Sequence, residues 1–204
     1  MDGPLEVRRG MPEDHEAAAE ALALAFVDDP GWSHLLPSAE TRGERLLEFF
    51  TAEIANVVPA YRELWVTEDG SGAALWGRPG RWRVPFARTA RPVRRMAGVF
   101  GHRLGLATWT QLRFERRHPA RPEHWYLHYI GVEPRRQGHG VGAGLLAPVL
   151  RLCDETATPA YLEASSERNR FLYERHGFEL TETFPMPLGG PPIREMWRDP
   201  VSPP

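Results

Sequence analysis

The chain has no lysine: all 25 of its cationic residues are arginine. That absence excludes Schiff-base chemistry on a lysine amine and any Walker-type phosphate loop, which needs one. A single cysteine, Cys153, excludes an intramolecular disulfide and a zinc site built from several thiolates. It lies in an apolar helical stretch and reads as a small core residue rather than a nucleophile. The eight histidines include no HExxH pair, because His15-Glu16 is followed by alanines, and no metal is expected. Long apolar runs are missing too. Residues 1–9 carry charges without an apolar core, and the stretch 17–27 is short and interrupted by Glu20. Neither a signal peptide nor a membrane partner is expected, and the expected location is cytoplasmic.

What remains is a chain of 204 residues, 42% hydrophobic and 25% charged, long enough for one domain with a sizeable core. Its net charge of −2 is unevenly spread: nine arginines and no acid stand between Asp69 and Glu115. Nucleic-acid binding is one reading of such a block. Without regular aromatic interleaving or a recognition motif, a solvated or anion-facing flank is the better one, and no nucleic acid is expected.

Hydrophobic periodicity predicts a strand over 6–9, then a helix from 12 that Asp28-Asp29-Pro30-Gly31 stops. A second helix follows over 39–58, then a hairpin of 63–66 and 73–76, a loop over 79–85, one or two arginine-rich helices within 90–114, and a linker over 118–122. The aromatic, β-branched run 125–132 is a strand. A turn over 133–140 leads to a helix over 141–154, where Pro148 is expected to introduce a kink. A strand over 160–164, a helix over 167–175 capped by Ser165 or Ser166, and strands over 178–184 and 193–197 complete the chain. The order predicts a single α/β (α+β) domain with a central mixed sheet flanked by helices.

Chemistry concentrates at Gln137-Gly138-His139-Gly140-Val141-Gly142, between a strand and a helix. Glycines let the backbone turn sharply, and amides converging at a helix N-terminus favour a phosphate or pyrophosphate. A dinucleotide fingerprint fits poorly, because residues 133–137 separate the strand from the first glycine. Asn169 and Tyr173 stand four apart on the later helix and share a face. A carboxamide there can bond an amide-bearing ligand arm, and a phenol can protonate a departing thiolate.

At these residues the chain resembles the GNAT superfamily of acetyl-CoA-dependent N-acyltransferases. Gln137-x-x-Gly140-x-Gly142 matches its pyrophosphate motif, five residues after Val132, and Leu172-Tyr173-Glu174-Arg175-His176-Gly177-Phe178 matches its later signature. Within the superfamily the chain is most similar to the puromycin N-acetyltransferases and their actinobacterial relatives, through Pro122–Val132, Tyr161–Ser165, Arg168-Asn169 and the segment from Gly190 to Pro200. The resemblance is strong over 122–200 and looser over 1–121, which implies an acetyl-CoA-binding half and an acceptor half of one domain.

The resemblance implies that the backbone of Ile130, Gly131 and Val132 pairs with the pantetheine arm of acetyl-CoA. It also implies that amides of Gly138, His139, Gly140, Val141 and Gly142 hold the pyrophosphate. Arg135, Arg136, Arg168 and Arg170 are the basic candidates nearby. Asn169 would touch the pantetheine, and Tyr173 would protonate the leaving thiolate. The acceptor is expected to be a primary amine of a small molecule; a peptide or protein amine, or a coenzyme-A-binding module without turnover, are the alternatives. Many relatives carry a glutamate where Tyr126 stands, so the base is expected to be His128, Glu163 or a water chain. Two acceptor clues disagree. Trp32, Trp76, Trp109, Trp125, Tyr126 and Tyr129 suit an aryl or nucleoside-like amine, whereas the arginine block suits an anion. The protein is expected to be a monomer or homodimer.

Overall fold

The computed structural model describes residues 6–83, 93–120 and 122–201. The end of the predicted 79–85 loop, the start of the 90–114 helical stretch, and Arg88 and Arg91 of the arginine block lie outside the described residues.

The chain runs β1 (Val7–Arg9), α1 (His15–Phe26), α2 (Pro30–Leu35), α3 (Ala39–Tyr61), β2 (Arg62–Thr67) and β3 (Gly72–Gly77). It continues through α4 (Val93–Phe100), α5 (Leu104–Arg117), β4 (Trp125–Val132), α6 (Val141–Glu155) and β5 (Ala160–Ala164). Helix α7 (Glu167–Glu174) and strands β6 (Glu179–Pro185) and β7 (Pro192–Arg198) close it. The strands form one mixed sheet in the order β1-β2-β3-β4-β5-β7-β6, in which only β4 and β5 pair in parallel. Helices α1 and α3–α5 pack a hydrophobic core on one face, and α6 and α7 pack a second core on the other.

One predicted boundary needs correction. Residues 28–31 do end α1, but Asp29-Pro30 also starts α2. The Asp29 carboxylate accepts from the amides of Gly31 (2.9 Å) and Trp32 (3.1 Å), with proline at the first helical position. An N-cap followed by proline is a helix start as much as a stop. Ser166, not Ser165, caps α7 by accepting from the Asn169 amide at 3.2 Å.

Two features of β4 open space beside the sheet. First, its pairing with β5 ends at Leu127↔Leu162, while β4 runs on to Val132 against β3. The two parallel strands therefore separate beyond Leu127, and a cleft opens between Ile130 and Glu163. Second, the β3–β4 register slips: Leu75 faces Tyr129 and Trp76 faces Leu127, which leaves His128 as the extra residue of a bulge.

Gly131 lets α1 lie close on β4. A Cβ there would stand 2.7 Å from the Cβ of Ala25 and 3.3 Å from the Cα of Leu22, and so would push on the helix itself. Gly131→Ala is expected to destabilise the fold by about 1–3 kcal/mol, read from the midpoint of denaturant unfolding. An unchanged midpoint would show that α1 moves freely.

Candidate active site

The turn after β4 is braced before it reaches the helix. The Gln137 carboxamide donates to the Val132 carbonyl at 2.9 Å, so its side chain ties the turn to the strand end. Arg136 pairs with Asp69 at 3.1 Å, and the Glu133 amide donates to the Ser71 carbonyl at 2.9 Å, which fixes the turn on the β2–β3 loop. Gly138 and Gly140 then adopt φ of 83° and 81°, the left-handed region where a side chain is strained. Gly140 is the N-cap of α6 and no side chain caps that helix, so its first amides stay available to an anion. His139 is exposed, with Nδ1 donating to the Gln137 carbonyl at 3.0 Å, and Val141 is buried in the second core. A Cβ at Gly142 would meet the Leu172 side chain at 3.2 Å, so the start of α6 lies directly against α7.

That contact sets α7 beside the turn. Asn169 and Tyr173 share a face of α7, as their spacing predicts, and both line a cavity of about 910 Å³. Ile130, His128 and Glu163, which flank the separating strands, line the same cavity. Gly131 and Val132 are not among its lining residues. Tyr173 is 5% exposed and its ring packs edge-on to Phe178 at 6.0 Å. Burial, assisted by the nearby Asp29 carboxylate, pushes the phenol above its ordinary range. Tyr173 therefore keeps its proton at neutral pH.

The bulge turns consecutive side chains into the cavity. The rings of His128 and Tyr129 stack at 4.2 Å, and Tyr126 stacks on His128 at 5.2 Å. His128 Nδ1 lies 3.8 Å from a Glu53 carboxylate oxygen of α3, near enough to stabilise an imidazolium. Glu53 has no local signal in the sequence: it is 75 positions from His128, and only the packing of α3 on the sheet brings the two together. The lining also includes Trp82, which stacks on His118 at 3.6 Å. His118 in turn meets the buried His124 through their Nε2 atoms at 2.9 Å. His124 Nδ1 donates to the Pro122 carbonyl, and burial holds its imidazole below the usual range, in the neutral form.

The structure corrects both acceptor clues. Of the six aromatic candidates, Trp32, Tyr126 and Tyr129 line the cavity. Trp76 and Trp125 instead fill the core beneath α6, because their positions point to the opposite face of the sheet, and Trp109 is exposed on α5. Phe26, Phe49 and Phe100 complete the aromatic wall with Trp32 and Tyr129. The arginine block is not an anion-facing flank of the cavity: among the described residues only Arg83 reaches it. Arg78 and Arg95 pair with Glu63 and Glu48, and Arg103 donates to the His34 carbonyl. The carboxylates of Asp29, Glu53, Glu115 and Glu163 line the same space. Its charge favours a cation.

Of the four basic candidates near the turn, Arg136 pairs with Asp69 and Arg170 with Glu167 and Glu174, which leaves Arg135 and Arg168 exposed. Cys153 is fully buried with its thiol pushed up to about 12, the behaviour of a core residue. Among the described residues no group of three metal-ligating side chains exists, and no helix is long and apolar enough to cross a membrane.

Comparison with known proteins agrees with this geometry. The family model "Acetyltransferase (GNAT) family" matches residues 95–178, which include the turn, α6 and α7. An uncharacterized N-acetyltransferase of Schizosaccharomyces pombe is 29% identical over 191 residues, covering 85% of this chain and 74% of the yeast protein. A crystal structure from Corynebacterium glutamicum, described as histone acetyltransferase HPA2 and related acetyltransferase, superposes with a TM-score of 0.71 at 25% identity over 98% of both chains. Arylalkylamine N-acetyltransferase 2 of Aedes aegypti shares the fold, with a TM-score of 0.59 at 12% identity over 97% of this chain and 99% of that one. Residues 95–178, which hold the uncapped glycine turn and the buried phenol, thus match the GNAT acetyltransferase family, and over most of its length the chain is similar to N-acetyltransferases.

Proposed function

We propose that the protein transfers the acetyl group of acetyl-CoA to a primary amine of a small molecule with an apolar or aromatic body. The observation that carries this reading is the cavity that Tyr173, His128 and Glu163 share with a wall of aromatic rings, its charged lining mostly carboxylate. A helix N-terminus with left-handed glycines suits the pyrophosphate. The edge of β4 beyond Leu127 suits an extended amide-bearing arm, with Asn169 beside it. Aromatic walls and a carboxylate-rich lining favour an amine with an apolar body.

The amine attacks the thioester carbon directly. A C–N bond forms and the C–S bond breaks, with the thiolate taking the Tyr173 proton. No covalent enzyme intermediate is needed, in keeping with the buried, inert Cys153. The amine must first shed a proton, and His128, backed by Glu53, or Glu163 receives it. His128→Gln is expected to lower kcat/KM roughly 10- to 100-fold. Glu163→Gln should do less. Wild-type rates in both variants would instead assign the step to a water chain.

The test is acetyl-CoA-dependent thiol release with a panel of primary amines, puromycin and arylalkylamines included, against a lysine-bearing peptide. Turnover with small amines alone supports the reading. Turnover with the peptide alone would replace it by a protein acetyltransferase, and donor binding without any turnover by a coenzyme-A-binding module.

A further inference from the structure

Asp29 does more than cap α2. Its Oδ1 takes the two amides of that helix, and its Oδ2 accepts the hydroxyl of Ser165, one residue past the end of β5. The carboxylate thus links the acceptor half of the chain to the strand that flanks the cleft. It is 8% exposed, and Asp29, Ser165, Gly31 and Tyr173 all line the cavity. The surroundings are close-fitting: a Cβ at Gly31 would stand 3.1 Å from Asp29 Oδ1, 3.4 Å from the Met186 sulfur and 3.8 Å from the Ser165 Cβ.

The cluster is unbalanced in charge. Two amides and one hydroxyl face the carboxylate, and among the described residues no cation pairs with it. A buried carboxylate without a counter-charge is costly, and here burial pushes its pKa up despite three hydrogen bonds. The hydroxyl proton of Ser165 points to Asp29, so the remaining hydrogen-bonding capacity of the Ser165 oxygen is as an acceptor. An acceptor oxygen backed by an uncompensated carboxylate, on the cavity wall that also carries Tyr173, matches an ammonium group.

We propose that Ser165 and Asp29 form the subsite for the acceptor's ammonium nitrogen, with Ser165 accepting its N–H and Asp29 supplying the opposite charge. The substrate class narrows accordingly to amines that arrive as cations and carry an apolar body. The aromatic wall of Trp32, Phe49 and Tyr129 then takes that body, and Phe26 and Phe100 close around it. The inference rests on the acetyl-transfer reading but assigns residues that reading does not use.

The experiment measures initial rates at saturating acetyl-CoA with varied 2-phenylethylamine, 3-phenylpropylamine or puromycin, in the wild type, Ser165→Ala and Asp29→Asn. The stabilisation by acetyl-CoA alone, and inhibition by the neutral alcohol 3-phenylpropan-1-ol, are recorded alongside. Asparagine retains the oxygen that caps α2, and Ser165→Ala leaves the cap untouched, so both variants should fold. For each amine the wild type acetylates, both variants are expected to lose roughly 10- to 100-fold in kcat/KM, the scale of a charge-assisted hydrogen bond. Stabilisation by acetyl-CoA and inhibition by the alcohol should not change. Wild-type KM for the amines in both variants would overturn the subsite, as would an equal loss of affinity for the neutral alcohol. A wild type that binds acetyl-CoA yet acetylates none of the three amines overturns it while sparing the donor site. No stabilisation by acetyl-CoA and no turnover removes both readings.

Discussion

Tyr173→Phe is expected to lower kcat on the order of 10³-fold while leaving stabilisation by acetyl-CoA unchanged. The substitution removes one oxygen from a buried ring and keeps the edge-on contact with Phe178. Helix α7 is held independently, by the Ser166 cap and by the approach of Leu172 to Gly142. Folding stability should therefore stay within about 1 kcal/mol of the wild type. The rate, by contrast, depends on how readily the thiolate departs. A phenol kept protonated by burial and by the neighbouring Asp29 is a stable proton source at neutral pH, and phenylalanine offers none. Steady-state kinetics and thermal unfolding separate the two effects. Parallel loss of rate and donor affinity would show that Tyr173 only fills space.

The second large effect belongs to the turn. Gly138 and Gly140 both sit at left-handed φ, and a Cβ at either position would meet nothing within 4 Å. Space is therefore not what requires glycine there; conformation is. Alanine in that region costs about 1–2 kcal/mol per residue. The turn relieves the strain by rotating its peptides, and this turns the amides away from the position an anion would take. Gly138→Ala combined with Gly140→Ala is accordingly expected to weaken acetyl-CoA binding roughly 30- to 1,000-fold, the equivalent of about 2–4 kcal/mol. Gly142→Ala is the control. It keeps an ordinary helical conformation and presses only on the mobile end of Leu172, so it should cost far less. Equal affinity in the double variant and the wild type, measured by calorimetry, would mean that these amides do not hold the donor.

Much of this architecture is legible in the residues themselves, and the exceptions have physical causes. The aromatic, β-branched run of β4, the glycines after it and the apolar stripe of α6 announce strand, turn and helix, because each pattern is local. The four-residue spacing of Asn169 and Tyr173 places them on one face for the same reason. What local pattern does not show is the bulge at His128, since a register slip depends on how β3 pairs across it. Nor does it show which tryptophans reach the cavity: Trp76 on β3 is buried beneath α6, whereas Trp32, on α2, packs on the other face of the sheet. Glu53 beside His128 and Asp29 beside Ser165 join residues far apart in the chain, and no short motif reports such pairs. The Asp29-Pro30 start of α2 is different. The signal is present in the sequence, and its second meaning, as a helix start, is the one the structure adds.

The turn of residues 138–142 and the cleft beside β4 are expected to bind acetyl-CoA. Thermal unfolding with and without acetyl-CoA tests it most directly. At about 100 times its dissociation constant, a ligand selective for the folded state adds about 2.7 kcal/mol, a rise in Tm on the order of 5–10 °C for a chain of this size. The expected result is that rise in the wild type and its loss in the Gly138→Ala, Gly140→Ala double variant. An unchanged Tm in the wild type at millimolar acetyl-CoA would contradict the claim and leave the glycine turn a structural element alone.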